Sequence, residues 1–85
     1  MTDKNKELVQ KLVTNVEALG FQTKFEADDG SESVATAQRL VVGKAGHVVA
    51  KVSLILAARV NTMFNGVGRN EIELLKVLTR FSVQL

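Results

Sequence analysis

The chain has 85 residues, 46% hydrophobic and 24% charged, which is enough for one folded domain over residues 1–85 and too short for a second core. It contains no Cys, Trp, Tyr or Pro, so disulfides and thiolate chemistry are excluded and the core must be built from aliphatic residues and four Phe. The net charge of +2 is unevenly placed: residues 1–42 hold five basic and seven acidic residues, and residues 43–85 hold six and two.

The N-terminal segment predicts an amphipathic helix from Asp3 to Leu19. Its apolar residues recur at the 3.6-residue period, which places them on one stripe of a helix. They are Leu8, Val9, Leu12, Val13, Val16 and Leu19. Gly20 follows where a helix end favours a residue of positive φ, so we expect the helix to stop there.

Two strands are predicted next. Residues 21–27 alternate between apolar or small and polar side chains, the pattern of a half-buried strand. Residues 28–33 are polar and rich in turn formers, and Val34–Val42 predicts a second strand. The following segment, Gly43–Gly46, is short, begins and ends with glycine, and separates two apolar runs, which indicates a hairpin.

The apolar run VVAKVSLILAARV, residues 48–60, has two interpretations. The β-branched residues that follow a hairpin favour a strand over 48–55, a tight turn at 56–58 and a short fourth strand from Arg59 to Met63. In the alternative, part of the run is a helix, because a helical stripe also fits the spacing. The strand interpretation leaves the turn unexplained, since residues 54–58 contain no Gly, Asn or Asp.

A second helix is predicted near the C-terminus. Residues 65–68 form a break, Asn70 is the expected N-cap, and Glu73 completes a variant of the capping box. The apolar stripe of this helix holds Leu74, Val77, Leu78 and Phe81. We therefore predict an α+β fold: an antiparallel meander of three or four strands, with the N- and C-terminal helices packed on one face.

The element order and the tail VAKVSLILAARVNTMFNGVGRNEIELLKVLTRF resemble small uncharacterised proteins of Gram-positive bacteria and their phages. In those proteins a strand ending in Val-Ser is followed by a short strand with a Phe and then a C-terminal helix. The resemblance covers the C-terminal half only, and this chain lacks the polar turn after Val-Ser. It implies a fold and a bacterial or phage origin, and it supplies no site residues.

Three motifs could suggest metal binding, catalysis or phosphate binding, but each lacks the residues that such a site requires. The acidic stretch Asp28–Glu32 lacks the ligand spacing of a calcium loop. His47 is the single histidine and has no predicted nucleophile beside it. Gly66–Asn70 precedes a helix but lacks the glycine and lysine pattern of a phosphate-binding loop. We therefore predict no catalytic, cofactor-binding or metal-ligating residue, and a protein that is not an enzyme.

A sheet with helices on one side leaves its other face open, and we predict an interaction surface there. Its candidate residues are Arg39, Val41, Val49, Lys51, Ile55 and Arg59. Apolar residues rimmed by cations are typical of a protein contact, so the expected partner is an unknown protein or a second copy in a homodimer. The alternative is a nucleic-acid-binding accessory protein that uses the basic C-terminal half.

The expected location is the cytoplasm, without membrane contact. Residues 1–10 are polar and do not resemble a signal peptide. The apolar run at 48–60 is too short to cross a bilayer and carries Lys51 and Arg59.

Overall fold

The chain folds as one four-stranded antiparallel sheet with a helix at each end, as the computed structural model of residues 3–30, 37–64 and 68–85 describes. In chain order the elements are α1 (Asp3–Ala18), β1 (Gln22–Glu26), β2 (Arg39–Lys44), β3 (His47–Ser53), β4 (Val60–Thr62) and α2 (Arg69–Ser82). The spatial strand order is β1-β2-β3-β4, so every strand pairs with its sequence neighbour. The predicted α+β meander is confirmed in its four-stranded form, and the helical interpretation of residues 48–60 is wrong.

Both helices cover the same face of the sheet. α1 packs against β1 and α2, and α2 packs against β3 and β4, so the helix layer follows the strand order. The core lies between the two layers, and alternate strand residues contribute to it together with the apolar stripes of both helices. The largest fully buried apolar side chains that join the layers are Leu12, Val16, Leu40, Val42, Val52, Leu54, Leu74 and Leu78.

The second strand is shifted relative to its prediction. β2 begins at Arg39 and continues to Lys44, whereas the sequence pattern predicts a strand over 34–42. Residues 34–36 lie outside the described part of the chain, and residues 37 and 38 precede the strand. The Gln38 side chain accepts from the backbone N–H of Asp28, so this residue closes the connection from β1 before the regular pairing starts.

The junction of α1 and α2 fixes how the helices lie against each other. Gly20 takes a φ of +91° just after α1, as predicted, and its N–H donates to the carbonyl of Glu17. The side-chain amide of Asn70, near the start of α2, donates to the carbonyl of Leu19, so the two helices are antiparallel. The predicted N-cap is wrong for the same reason: Asn70 is turned toward α1, and the N-cap of α2 is Gly68, which has no side chain to accept a hydrogen bond.

The β2–β3 hairpin turns at Ala45 and Gly46, whose φ angles are +53° and +81°. Two consecutive positive φ angles match the turn that suits the twist of a two-residue hairpin. Gly43 lies within β2, where the pairing shifts by one residue. A Cβ at Gly43 would lie 3.1 Å from the carbonyl oxygen of His47, so the close approach of the two strands favours glycine there.

Two serine hydroxyls build the β3–β4 connection, which explains a turn without Gly, Asn or Asp. The Ser53 hydroxyl accepts from the backbone N–H groups of Ile55 and Leu56. The N–H of Arg59 donates to the buried Ser82 hydroxyl, and the N–H of Ala58 donates to the Ser82 carbonyl. The connection is thus attached to the last turn of α2.

The same connection contains a strained residue. Ala58 has a φ of +60°, a region that costs a residue with a Cβ about 1 kcal/mol or more relative to glycine. We expect Ala58→Gly to raise the free energy of unfolding by up to about 1 kcal/mol in urea denaturation. Its neighbour Ala57, whose φ is not positive, is the matched control. Ala57→Gly should lower the same quantity, and an equal loss from both substitutions would contradict the strain at Ala58.

Candidate functional site

The sheet face opposite the helices, here called the open face, carries most of the predicted interaction residues. Alternation and strand register place one row of side chains across all four strands: Lys24, Val41, Lys51 and Asn61. The adjacent row runs from Glu26 through Arg39 to Ser53. Arg59 continues that row, because its carbonyl accepts from the N–H of Ser53. The structure therefore brings Arg39, Lys51 and Arg59 together, as predicted.

Arg39 is engaged by two carboxylates. Its Nε lies 2.6 Å from Glu26 Oε1 and its Nη2 lies 2.6 Å from Asp28 Oδ1. Lys51 Nζ lies 3.7 Å from the same oxygen of Glu26. The hydrogen bond from Arg39 holds the pKa of Glu26 below its usual value, against the opposing effect of desolvation. The hydrogen bonds to Asp28 and Glu26 raise the pKa of Arg39. Arg39 is therefore held in place as an internal partner of the sheet and is not a solvated cation.

Val41 is not an exposed contact residue. It lies on the open face, as the alternation predicts, but its side chain is only 7% exposed. Lys24 and Lys51 are its cross-strand neighbours, and the aliphatic stems of lysines commonly cover apolar groups between them. The prediction of an exposed apolar side chain at Val41 is therefore wrong.

Val49 lies on the other side of the sheet. The pairing shift near Gly43 leaves Val49 without a partner on β2, since Val48 pairs with Gly43 and Ala50 pairs with Val42. This bulge interrupts the alternation, so Val49 packs against the core and Val48 is 43% exposed. The predicted exposure of Val49 is corrected for that reason.

Ile55 is not a strand residue. β3 ends at Ser53, and Ile55 lies in the β3–β4 connection with 59% of its surface exposed. Its side chain is exposed, as predicted, but its predicted place on the strand is wrong. The Ser53 hydroxyl accepts from the N–H of Ile55 and so turns the chain away from the sheet.

A basic groove opens where β3 and β4 meet the β3–β4 connection. It has a volume of about 540 Å³, and its walls include Arg39, Lys51, Ser53, Arg59 and Asn61. Three basic side chains line the groove and no acidic one does. Arg59 is exposed and makes no ion pair within the described residues. The groove is the most cationic part of the open face.

A second surface, which the sequence patterns did not indicate, lies along the β4 edge of the sheet. Six exposed large apolar side chains belong to the segments that flank this edge: Ile55, Leu56, Met63, Ile72, Leu75 and Val83. We call this set the β4-edge surface. Within the described ranges no exposed large apolar residue precedes Val48, so the opposite, β1 edge has no equivalent. The one sequence feature that pointed to this surface was the presence of apolar residues in α2 outside its predicted apolar stripe.

The α2 residues of this surface lie away from α1. Val77 and Phe81 line the groove between the two helices. Helical geometry places Leu75 on the side of α2 that is turned away from this groove, with Ile72 and the C-cap residue Val83 further round toward the solvent side. Because α2 lies over β3 and β4, that side borders the β4 edge, and Leu75 is the nearest of the three to it.

Within the described residues, no strand pairs with the outer side of β4. The carbonyl of Arg59 and the N–H of Met63 both bond to β3, at Ser53 and Val49 respectively. Bonding directions alternate along a strand, so the N–H and C=O groups of Val60 and Thr62 point away from the sheet. An edge with free donors and acceptors is a ready template for a further strand.

The remaining motifs do not converge on a site. His47 is exposed at the start of β3, and Asp28 pairs with Arg39. Glu32 of the acidic stretch and Gly66 and Val67 of the glycine motif lie outside the described residues. Over ranges 3–30, 37–64 and 68–85, no cluster of three His, Cys, Asp or Glu side chains has the geometry to hold a metal ion. In those same ranges no helix has both the length and the apolar character required to cross a bilayer.

Comparisons with protein-family models, curated proteins and solved structures find no match, so no family membership is shown for this chain.

The Arg39–Glu26 pair gives a pH-dependent prediction. Because the pKa of Glu26 is lowered in the folded state, its ion pair stabilises the protein above the unfolded pKa near 4.5, and this contribution is lost as the pH falls through the folded pKa. Wild type should therefore exceed Glu26→Gln in Tm at pH 7, and the difference should shrink below about pH 4.5.

An NMR titration of the Glu26 side-chain carboxyl tests the cause. The midpoint should lie below 4.5 in wild type and should rise in Arg39→Gln, whereas Lys6→Gln on α1 should leave it unchanged. A wild-type midpoint at or above 4.5 would show that the guanidinium does not stabilise the carboxylate.

Proposed function

We propose that this protein is a small non-enzymatic interaction module that forms a homodimer through its β4 edge. The observation that carries the proposal is the coincidence, along one edge, of unpaired strand backbone and the six apolar side chains of the β4-edge surface. A monomeric protein seldom collects its exposed apolar residues on one side. The occupant is a second copy, for the geometric reasons that follow.

The outer side of β4 is complementary to itself. In an antiparallel pairing centred on Asn61, Val60 of one protomer faces Thr62 of its partner, and Thr62 faces Val60. Each of these pairs has inward-facing N–H and C=O groups on both strands, so four hydrogen bonds form around a two-fold axis. The product is a continuous eight-stranded antiparallel sheet.

The helices fit the same arrangement. α2 lies over β3 and β4, so its axis lies about one strand spacing from the two-fold axis. The two copies of α2 would then run antiparallel about 10 Å apart, which matches the 8–10 Å separation of packed helices. Leu75 is on the side of α2 that borders the other copy, and Ile72 and the C-cap residue Val83 lie at the margin of that contact. The same position of the second protomer therefore satisfies both the sheet pairing and the helix packing.

The expected affinity is moderate. Burying an apolar side chain that is about half exposed contributes about 1 kcal/mol, so the six side chains of both protomers contribute at most roughly 12 kcal/mol if all are buried. The loss of translational and rotational freedom costs about 4–15 kcal/mol. With the strand hydrogen bonds added, the dissociation constant is expected on the order of micromolar.

Proline at the sheet edge tests the pairing. Thr62→Pro removes an outward N–H that the monomer does not use, so the protomer should stay folded and the dimer should be lost. Sedimentation equilibrium at 10 µM to 1 mM should show a monomer–dimer equilibrium for wild type and a monomer for the variant. Leu75→Glu, which introduces a charge into the helix contact, should have the same effect.

Matched controls exist at the other side of the molecule. The carbonyl of Glu26 on β1 accepts from the N–H of Gln38, so the backbone groups of Glu26 point toward β2. Bonding directions alternate along a strand, and Thr23 is an odd number of residues away, so the N–H of Thr23 points away from the sheet. Thr23→Pro and the exposed α1 substitution Gln10→Glu should both leave the dimer intact. A wild-type protein that sediments as a monomer at 1 mM, or a Thr23→Pro variant that dissociates as readily as Thr62→Pro, would overturn the proposal.

A further inference from the structure

We propose that the open face of the dimer binds the phosphate backbone of double-stranded nucleic acid, with the two-fold axis through Asn61 at the centre of the contact. This inference rests on the proposed homodimer, because the pairing of two β4 edges brings two basic grooves side by side. Each groove contributes Lys51 and Arg59.

Positive charge is concentrated on the open face. Within the described residues this face carries one carboxylate, that of Glu26, with Asp28 at its rim. Its basic side chains are Lys24, Arg39, Lys51 and Arg59. Arg39 is shared between the two carboxylates and Lys51 Nζ lies 3.7 Å from Glu26 Oε1, so Arg59, which makes no ion pair within the described residues, is the cation that the groove offers most directly to a ligand, with Lys51 beside it.

The helix layer offers no comparable charge. α2 has only one more basic residue than acidic ones, since Glu71 and Glu73 offset two of its three cations. Lys44, at the end of β2, lies with its Nζ 5.4 Å from the centre of the Phe21 ring. An anionic partner is therefore attracted to the open face and not to the helices.

Duplex is favoured over single strands because the face lacks aromatic groups. Proteins that bind single strands stack bases on aromatic side chains. Phe21 and Phe81 are buried, and Phe25 and Phe64 pack against the core, so none of the four Phe is available on the open face. Contacts to phosphates need only cations, and a duplex presents its phosphates in two rows, one on each strand.

The cations are spaced for both strands of a duplex. Lys51 and Asn61 are cross-strand partners, so the row across the dimer axis reads Lys51, Asn61, then Asn61 and Lys51 of the second protomer. Three strand spacings separate the two Lys51 residues by about 14 Å. The two Arg59 residues, about four positions apart along paired strands, are separated by a similar distance of about 14 Å. These spans are close to the roughly 12 Å width of the major groove of B-DNA, whose two-fold pseudosymmetry matches that of the dimer.

The test measures binding and assembly in the same samples. A fluorescein-labelled 20-base-pair duplex of arbitrary sequence is titrated with the full chain at 50 and 200 mM NaCl, and sedimentation reports the dimer. With Lys51 and Arg59 of both protomers on phosphates, four contacts form, and the affinity should fall about 150-fold between the two salt concentrations. The single strand of the same length should bind at least tenfold more weakly.

Charge variants locate the surface. Arg59→Glu should leave the dimer intact, weaken duplex binding at least tenfold at 50 mM NaCl and reduce the salt effect to about 12-fold. Lys6→Glu, the same charge change on exposed α1, should weaken it less than twofold. Thr62→Pro should reduce the duplex affinity and its salt dependence to the values expected for two phosphate contacts, because the monomer has only one groove.

The outcomes separate the two proposals. A wild-type protein that never dimerises refutes the homodimer and this inference together. A dimer that ignores duplex, binds it without salt dependence, prefers single strands or responds equally to Lys6→Glu and Arg59→Glu refutes this inference alone. A dimer that binds acidic protein but not duplex through Arg59 also refutes it.

Discussion

The attachment of the β3–β4 connection to Ser82 is the interaction on which the rest of the architecture depends. The hydroxyl and carbonyl of this buried serine accept from Arg59 and Ala58, so the last turn of α2 holds the start of β4 against β3. Without that attachment a three-residue strand would have little to define its position. With it, the sheet gains a fourth strand, α2 is fixed over β3 and β4, and Arg59 is placed at the wall of the basic groove.

The two edges of the sheet then differ physically. The β1 edge lies beside α1, whose large exposed residues are polar, whereas the β4 edge lies beside the apolar side of α2. One edge is suited to water and the other to a second protein surface.

Much of the fold could be predicted from the sequence, because its signals are local. The periodicity of α1 and the glycine after it, the alternation of β1 and the hairpin before His47 each depend on residues close together in the chain. The sequence pattern predicts the turn after β3 but not its cause, since the defining partner, Ser82, is far away in sequence. The N-cap of α2 is misassigned for a similar reason: Asn70 has a capping side chain, but that side chain bonds to Leu19.

The candidate site was predictable only in its charges. Arg39, Lys51 and Arg59 share the open face because strand alternation holds at their positions. Strand alternation fails at Val49, because a bulge changes the direction of this side chain. Bulges have no clear signal in a single sequence. The exposure of Val41 depends on the long side chains of its neighbours, which a strand pattern does not describe. The β4-edge surface combines residues from three segments, so only the folded chain reveals it.

The measurement that tests the central claim most directly is backbone amide hydrogen exchange at two protein concentrations. In the monomer the amides of Val60 and Thr62 face solvent, while that of Asn61 faces its partner on β3. Pairing of two β4 edges predicts that Val60 and Thr62 exchange fast at 0.1 µM, below the expected dissociation constant, and slowly at 1 mM, with Asn61 protected at both concentrations. Fast exchange of Val60 and Thr62 at 1 mM would contradict that pairing.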